Sequence, residues 1–196
     1  MITMGKQRYI MVVEDSPEDF DVLERGFKKA EILIPLLHFH SSMEALNTLL
    51  AFTGRSPESV AKAQQHHQYQ QHQQHPTPHE AAGDDEMTAL LYSPHTRPIA
   101  HEQSMDIGPK PSLIMMDLNM PGLDGFDMLE RLKSDPDLCR IPVLVLSTSK
   151  SEIDIDKSYA AGANAFVSKP VDIAGYVRMA GIVKTFWFEC AMLPAG

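Results

Sequence analysis

Cysteine is scarce in this sequence: Cys139 and Cys190 are the only two among 196 residues. They supply neither a disulfide framework nor a metal-binding spacing, so a reducing, cytoplasmic setting is expected. Long apolar runs are missing too. No stretch approaches the ~20 residues that a membrane span needs. The opening "MITMGKQRYIMVVED" passes from a short apolar run into acids, unlike a signal peptide. Basic residues are outnumbered, 17 against 26 acidic ones, for a net charge of −9. That balance argues against nucleic acid or an anionic membrane as a partner.

Aliphatic residues thin out in one place, roughly 54–111, around "HHQYQQHQQHPTPHEAAGDDE". This segment holds seven of the nine histidines and seven of the fourteen prolines. Such a composition cannot bury enough surface to offset its ordering entropy, so a mostly disordered insert is expected, with a possible helix start at Ser56-Pro57. Its histidines lack a regular ligand spacing, so they are expected to bind metal only adventitiously.

What is present elsewhere is a regular alternation. The overall hydrophobic fraction of 43% is enough for a core. Short continuous apolar runs predict strands over 9–13, 34–39, 112–116, 141–147 and 165–168. Amphipathic segments predict a first helix after the Ser16 cap, with Phe20, Leu23, Phe27 and Ala30 inward and Asp19 completing a capping-box-like start. Further helices are predicted over 41–52, over 125–135 with Phe126, Leu129 and Leu132 inward, over 150–162 and over 172–190. Five βα units imply an α/β fold, a doubly wound five-stranded parallel sheet in the order 2-1-3-4-5, with the insert between the second helix and third strand. One domain is expected over 1–196, with its core in 7–53 and 112–190 and a tail over 191–196.

The ends of these strands carry chemistry. The first runs into Glu14-Asp15, the third into Asp117, the fourth into Ser147 and the fifth into Lys169-Pro170. In an open parallel sheet, sites form at the carboxyl ends of strands beside the switch in strand order. Glu14, Asp15 and Asp117 would converge there, and three carboxylates at close range call for a hard cation such as Mg²⁺ or a raised pKa. An ionised Asp117 is a candidate nucleophile toward a phosphoryl group, with the Lys169 ammonium and the Ser147 hydroxyl placed to meet its oxygens. An aspartate after a strand is usually no more than a turn or helix cap, and Asp124 and Ser16 read as caps. Asp117 differs because acids and a lysine terminate the sister strands.

"VVEDSPED", "MMDLNMPGLDG", "VLVLSTS" and "FVSKP" together resemble response-regulator receiver domains of two-component signalling, in the family's order. The gaps of 30 residues from Asp117 to Ser147 and 22 from Ser147 to Lys169 also match. The resemblance implies that Asp117 is the phosphoacceptor, that Asp15 is a direct Mg²⁺ ligand beside Glu14, and that the Asn119 backbone carbonyl is a further ligand. It implies Ser147 as the switch hydroxyl, Lys169 as the phosphate-contacting lysine, a cis Lys169–Pro170 bond and Phe166 as the switch aromatic. Ser147 stands where Thr is commoner, Phe166 where Tyr is, and Thr148 where a smaller Ala is frequent, which would restrict access to the acyl phosphate.

"DLNMP", "LSTSKSE", "NAFVSKP" and the terminal "FWFECAMLP" are similar to the single-domain regulators paired with bacterial phytochromes. That likeness implies a sensor histidine kinase, such as a bacteriophytochrome, as partner, and a homodimer formed by the fourth helix, fifth strand, fifth helix and tail. The apolar load of the fifth helix, Tyr176, Val177, Met179, Ile182, Val183, Phe186, Trp187 and Phe188, also points to self-association. The chain ends six residues after this helix, so no output domain is expected, and no enzyme activity. A phosphatase of the haloacid-dehalogenase type is the enzymatic rival, but it would need a second acid where Asn119 stands. A binding module indifferent to phosphorylation is the other.

Overall fold

A computed structural model of the chain describes residues 8–54 and 110–194. All of them belong to one unit, Met1–Pro57 with Asp106–Gly196. The expected insert and the helix start at Ser56 lie outside the described residues, apart from Gly54, Lys110 and Pro111 at its edges.

The strands are β1 (Ile10–Val13), β2 (Leu36–Phe39), β3 (Leu113–Met116), β4 (Val143–Ser147) and β5 (Ala165–Ser168). They form one parallel sheet in the order β2-β1-β3-β4-β5, as the alternation of elements predicts. Ile10, Val12, Leu113, Met115, Leu144 and Leu146 share a core with the helices on one face. Their alternates Met11, Val13, Ile114, Met116, Val143 and Val145 are fully buried as well. Burial on both faces is why these strands read as unbroken apolar runs. The edge strands β2 and β5 are less covered.

β2 and β4 start later than expected, after Pro35 and Pro142. Proline has no N–H for the ladder, yet the carbonyls of Pro35 and Pro142 still accept Ile10 N–H and Ile114 N–H, each at 2.9 Å.

The helices are α1 (Pro17–Lys29), α2 (Ser42–Phe52), α3 (Gly125–Ser134), α4 (Glu152–Ala160) and α5 (Ile173–Val183). α1 packs on α5, whereas α2, α3 and α4 touch in turn. Their starts are chemically specified: Ser16, Ser41, Asp124 and Asp172 each accept a first-turn backbone N–H. In α1, Leu23 and Phe27 are buried as expected, with Phe20 and Ala30 only partly so. In α3, Met128 joins Leu129 and Leu132 inside. Phe126 is only half-buried, with Lys157 Nζ 5.6 Å from its ring centre.

The fifth helix is not one α-helix over 172–190. It is α-helical to Val183 and π-helical over Lys184–Cys190. The wider turn lets Trp187 and Phe188 both lean on the core, with Phe186 set edge-on to Trp187 at 4.9 Å. Among the described residues no helix is long and apolar enough to cross a membrane.

Candidate functional site

The ladder continues one residue beyond three of the strands. Glu14 N–H reaches Phe39 O at 3.0 Å, Asp117 N–H reaches Val13 O at 3.0 Å, and Lys169 N–H reaches Ser147 O at 2.8 Å. The backbones of these residues are therefore held by the sheet itself, and their side chains meet at its carboxyl edge. Carboxylate oxygens of Glu14, Asp15 and Asp117 all lie within 4.8 Å of one another. Glu14 and Asp117 are buried.

The chain turns at once after Asp117 because the next residues must clear that edge. Asp117 Oδ1 accepts Asn119 N–H at 3.1 Å, closing a local turn. Gly122 sits at φ +88°, a backbone region costly for side-chain-bearing residues. Gly125 opens α3 hard against this turn: a Cβ there would lie 2.5 Å from Leu118 Cα and 2.7 Å from Asp117 O.

Lys169 balances the acids. Its side chain is 6% exposed, and Nζ lies 2.7 Å from Glu14 Oε2, Asp117 Oδ2 and Asp19 Oδ2 alike. Burial works against its charge, but hydrogen bonds to Asp117, Asp19 and Glu14 outweigh that and hold the ammonium above its ordinary range. Burial likewise pushes the Glu14 carboxyl up, opposed by Lys169 and reinforced by the charge of Asp117. One ammonium facing several carboxylates leaves the pocket electronegative. An all-oxygen donor set of this kind fits a hard divalent cation.

Ser147 is fully buried at the end of β4. Its Oγ accepts Ser149 N–H at 3.1 Å and, more loosely, the Asn119 side-chain amide at 3.4 Å. Both acceptor positions are thus used, which leaves the hydroxyl hydrogen free to donate. The structure brings Glu14, Asp15, Asp117 and Lys169 together, with Ser147 joined through Asn119. Phe166 lies on β5 opposite Val145, and its N–H donates to the Tyr159 hydroxyl at 3.3 Å. The Lys169–Pro170 bond, expected cis, is trans, since the described residues contain no cis peptide. Trans is the lower-energy isomer even before proline, and the lysine reaches the acids from it.

Two residues at this edge escape a reading of the sequence. Asp19 looks like the reciprocal partner of a capping box. Instead Ser16 N–H goes to Glu14 Oε1 at 3.3 Å, and the Asp19 carboxylate turns to Lys169. The signal was its position, one helical turn after the acidic pair. His38, at the end of β2, donates from Nε2 to Glu14 O at 2.8 Å and stacks on Phe20 with ring centres 3.8 Å apart. Burial holds its pKa below the usual 6.5, against the raising effect of that carbonyl.

Known proteins bear on this geometry. Residues 100–180 match the response regulator receiver domain. The chain is 41% identical over 87 residues to Response regulator Rcp1 of Synechocystis sp., covering 44% of this chain and 59% of that protein. It is 38% identical over 70 residues to Two-component response regulator ARR16 of Arabidopsis thaliana, covering 36% and 43%. The chain thus spans about half the length of the curated relatives it matches.

Its structure is similar to that of the phosphorylated cyanobacterial phytochrome response regulator RcpA, at 25% identity and a TM-score of 0.61, covering 96% of this chain and 99% of that one. The Mn²⁺-bound form of response regulator Rcp1 gives 26% and 0.60 with the same coverage. The matched segment includes Asp117, Ser147 and Lys169 but not Glu14 or Asp15, which the fold alone brings to the same edge. Matched segment, sheet order and fold are thus all similar to those of response regulator receiver domains.

Proposed function

We propose that the chain is a single-domain response regulator that accepts a phosphoryl group on Asp117 from a sensor histidine kinase, in a Mg²⁺-dependent reaction, and signals through protein–protein contacts. Receiver domains of this family are signalling modules, and this reading assigns no enzymatic turnover. The observation that carries it is the convergence of Glu14, Asp15 and Asp117 carboxylates within 4.8 Å, with Lys169 Nζ 2.7 Å from Asp117 Oδ2.

Glu14, Asp15, Asp117 and the Asn119 carbonyl would hold Mg²⁺, which when bound offsets negative charge on the phosphoryl oxygens. An Asp117 carboxylate oxygen attacks phosphorus, and the bond from phosphorus to the kinase's histidine nitrogen breaks. The imidazole leaves with the bonding pair and takes up a proton. Lys169 supplies a positive charge beside the new acyl phosphate, and Ser147 donates its hydroxyl hydrogen to a phosphoryl oxygen. Movement of Ser147 is coupled to rotation of Phe166, so the β4–β5 edge reports the modification.

The phytochrome regulators among the similar structures support a bacteriophytochrome as the kinase. A cytoplasmic setting follows from such a partner. Self-association is assigned to the face of α4, β5, α5 and the tail, where Ile153, Tyr159, Ile182, Phe186 and Met192 are exposed.

Treatment with acetyl phosphate, read by intact mass, tests the core of this reading. Wild type should gain one phosphate only with Mg²⁺ present, and Asp117→Asn none. An unmodified wild type would overturn it.

A further inference from the structure

Lys169 has three N–H donors, and in this structure three carboxylates take them, each at 2.7 Å. A phosphoryl group on Asp117 needs one of those donors, so a carboxylate must yield. The three are not equivalent. Glu14 is buried and accepts Ser16 N–H with its other oxygen, so it is fixed in place and water has little access to stand in for the lysine. Asp117 becomes a mixed anhydride, and attack through Oδ1 leaves Oδ2, 2.7 Å from Nζ, as the carbonyl beside the lysine. Asp19 is different: it comes from the first turn of α1, and its side chain is 42% exposed. It is the partner that water can take over at least cost.

We propose that Asp19 is a positioning residue that holds Lys169 over the acids in the unmodified protein and competes with the phosphoryl group for its ammonium. This rests on Asp117 being the phosphoacceptor. Asp19 thereby limits how firmly Lys169 clasps the acyl phosphate, and so shortens its lifetime. The competition requires a charge at this place, and the backbone does not depend on it, because it is the Asp19 N–H, not its carboxylate, that the Ser16 cap uses.

The test is the half-life of the acyl phosphate, followed by intact mass after acetyl phosphate is removed. Asp19→Asn keeps the shape and should lengthen the half-life roughly twofold to fivefold, the range open to a half-exposed ion pair; Asp19→Glu should restore the wild-type value. In a Lys169→Ala background, Asp19→Asn should change nothing. An unchanged half-life in Asp19→Asn, or an equal change without Lys169, would overturn the proposal. Should Lys169→Ala accept no phosphate, the wild-type complex with beryllofluoride, a phosphoryl mimic, decides by crystallography. Release of Asp19 from Lys169 supports the competition, and retention of the contact alongside a Lys169–fluoride bond overturns it. Failure of wild type to accept phosphate from acetyl phosphate overturns the phosphoacceptor reading, and this one with it. Acceptance with no effect of Asp19→Asn overturns this one alone.

Discussion

Gly125 shows how little room the turn after Asp117 has. A Cβ at this position meets backbone atoms of Asp117 and Leu118, not a flexible side-chain end. The overlap can be relieved only by moving α3 or the turn, and overpacking of this kind costs about 1–3 kcal/mol. Gly125→Ala should therefore lower unfolding stability by that amount in urea titration. It should also slow phosphate uptake, because the displaced atoms include Asp117 O.

The acids, serine and lysine were readable because each interrupts an apolar run at a strand end, where a charge has no packing reason to be. Asp19 was not readable in the same way. A helix cap already accounts for an acid in a first turn, and only the three-dimensional path of Lys169 shows where its carboxylate goes.

Among the elements, β2 carries a pH dependence. His38 is surrounded by the Glu14 carbonyl, the Phe20 ring and His40, with Glu44 and Asp21 contributing charge. Its folded pKa lies below 6.5, so the unfolded chain binds the proton more readily. Stability contributed by the neutral imidazole is thus present above pH 6.5 and lost as the pH falls toward the folded pKa. Unfolding free energies measured from pH 7 downward should decline less steeply in His38→Gln than in wild type. Equal slopes would remove His38 as the cause.

At the other edge, the fifth helix was expected to carry more apolar surface than one face against the sheet can hide. The structure buries Tyr176, Met179 and Val183 and rests Trp187 and Phe188 on the core. Ile182 and Phe186 remain, 69% and 54% exposed. Ile182→Asp with Phe186→Asp should shift sedimentation from dimer to monomer with phosphate uptake intact; a dimer that persists would move the interface elsewhere. The π-helical turn could not be anticipated, because α- and π-turns differ in hydrogen-bond span and not in the residues that favour them.

For the molecule as a whole, strand order was legible from the alternation of elements together with where charges interrupt it. A parallel sheet in which β1 lies beside β3 is what puts Glu14 next to Asp117. The later starts of β2 and β4 follow from prolines and change no partner. What alternation does not reveal is timing. The register sets Ile10 beside Leu113, so the central pair of the sheet closes a loop of about 100 residues.

That pairing is needed before Glu14, Asp15 and Asp117 can meet, and long closures slow folding more than they weaken the folded state. Removing residues 55–109 would roughly halve the loop, lowering the closure cost by about 0.6 kcal/mol. Stopped-flow refolding of such a variant should be roughly threefold faster than that of the full chain. The Ile10–Leu113 register thus makes the length of chain between α2 and β3 a clock on how soon a newly made chain can assemble its acidic cluster.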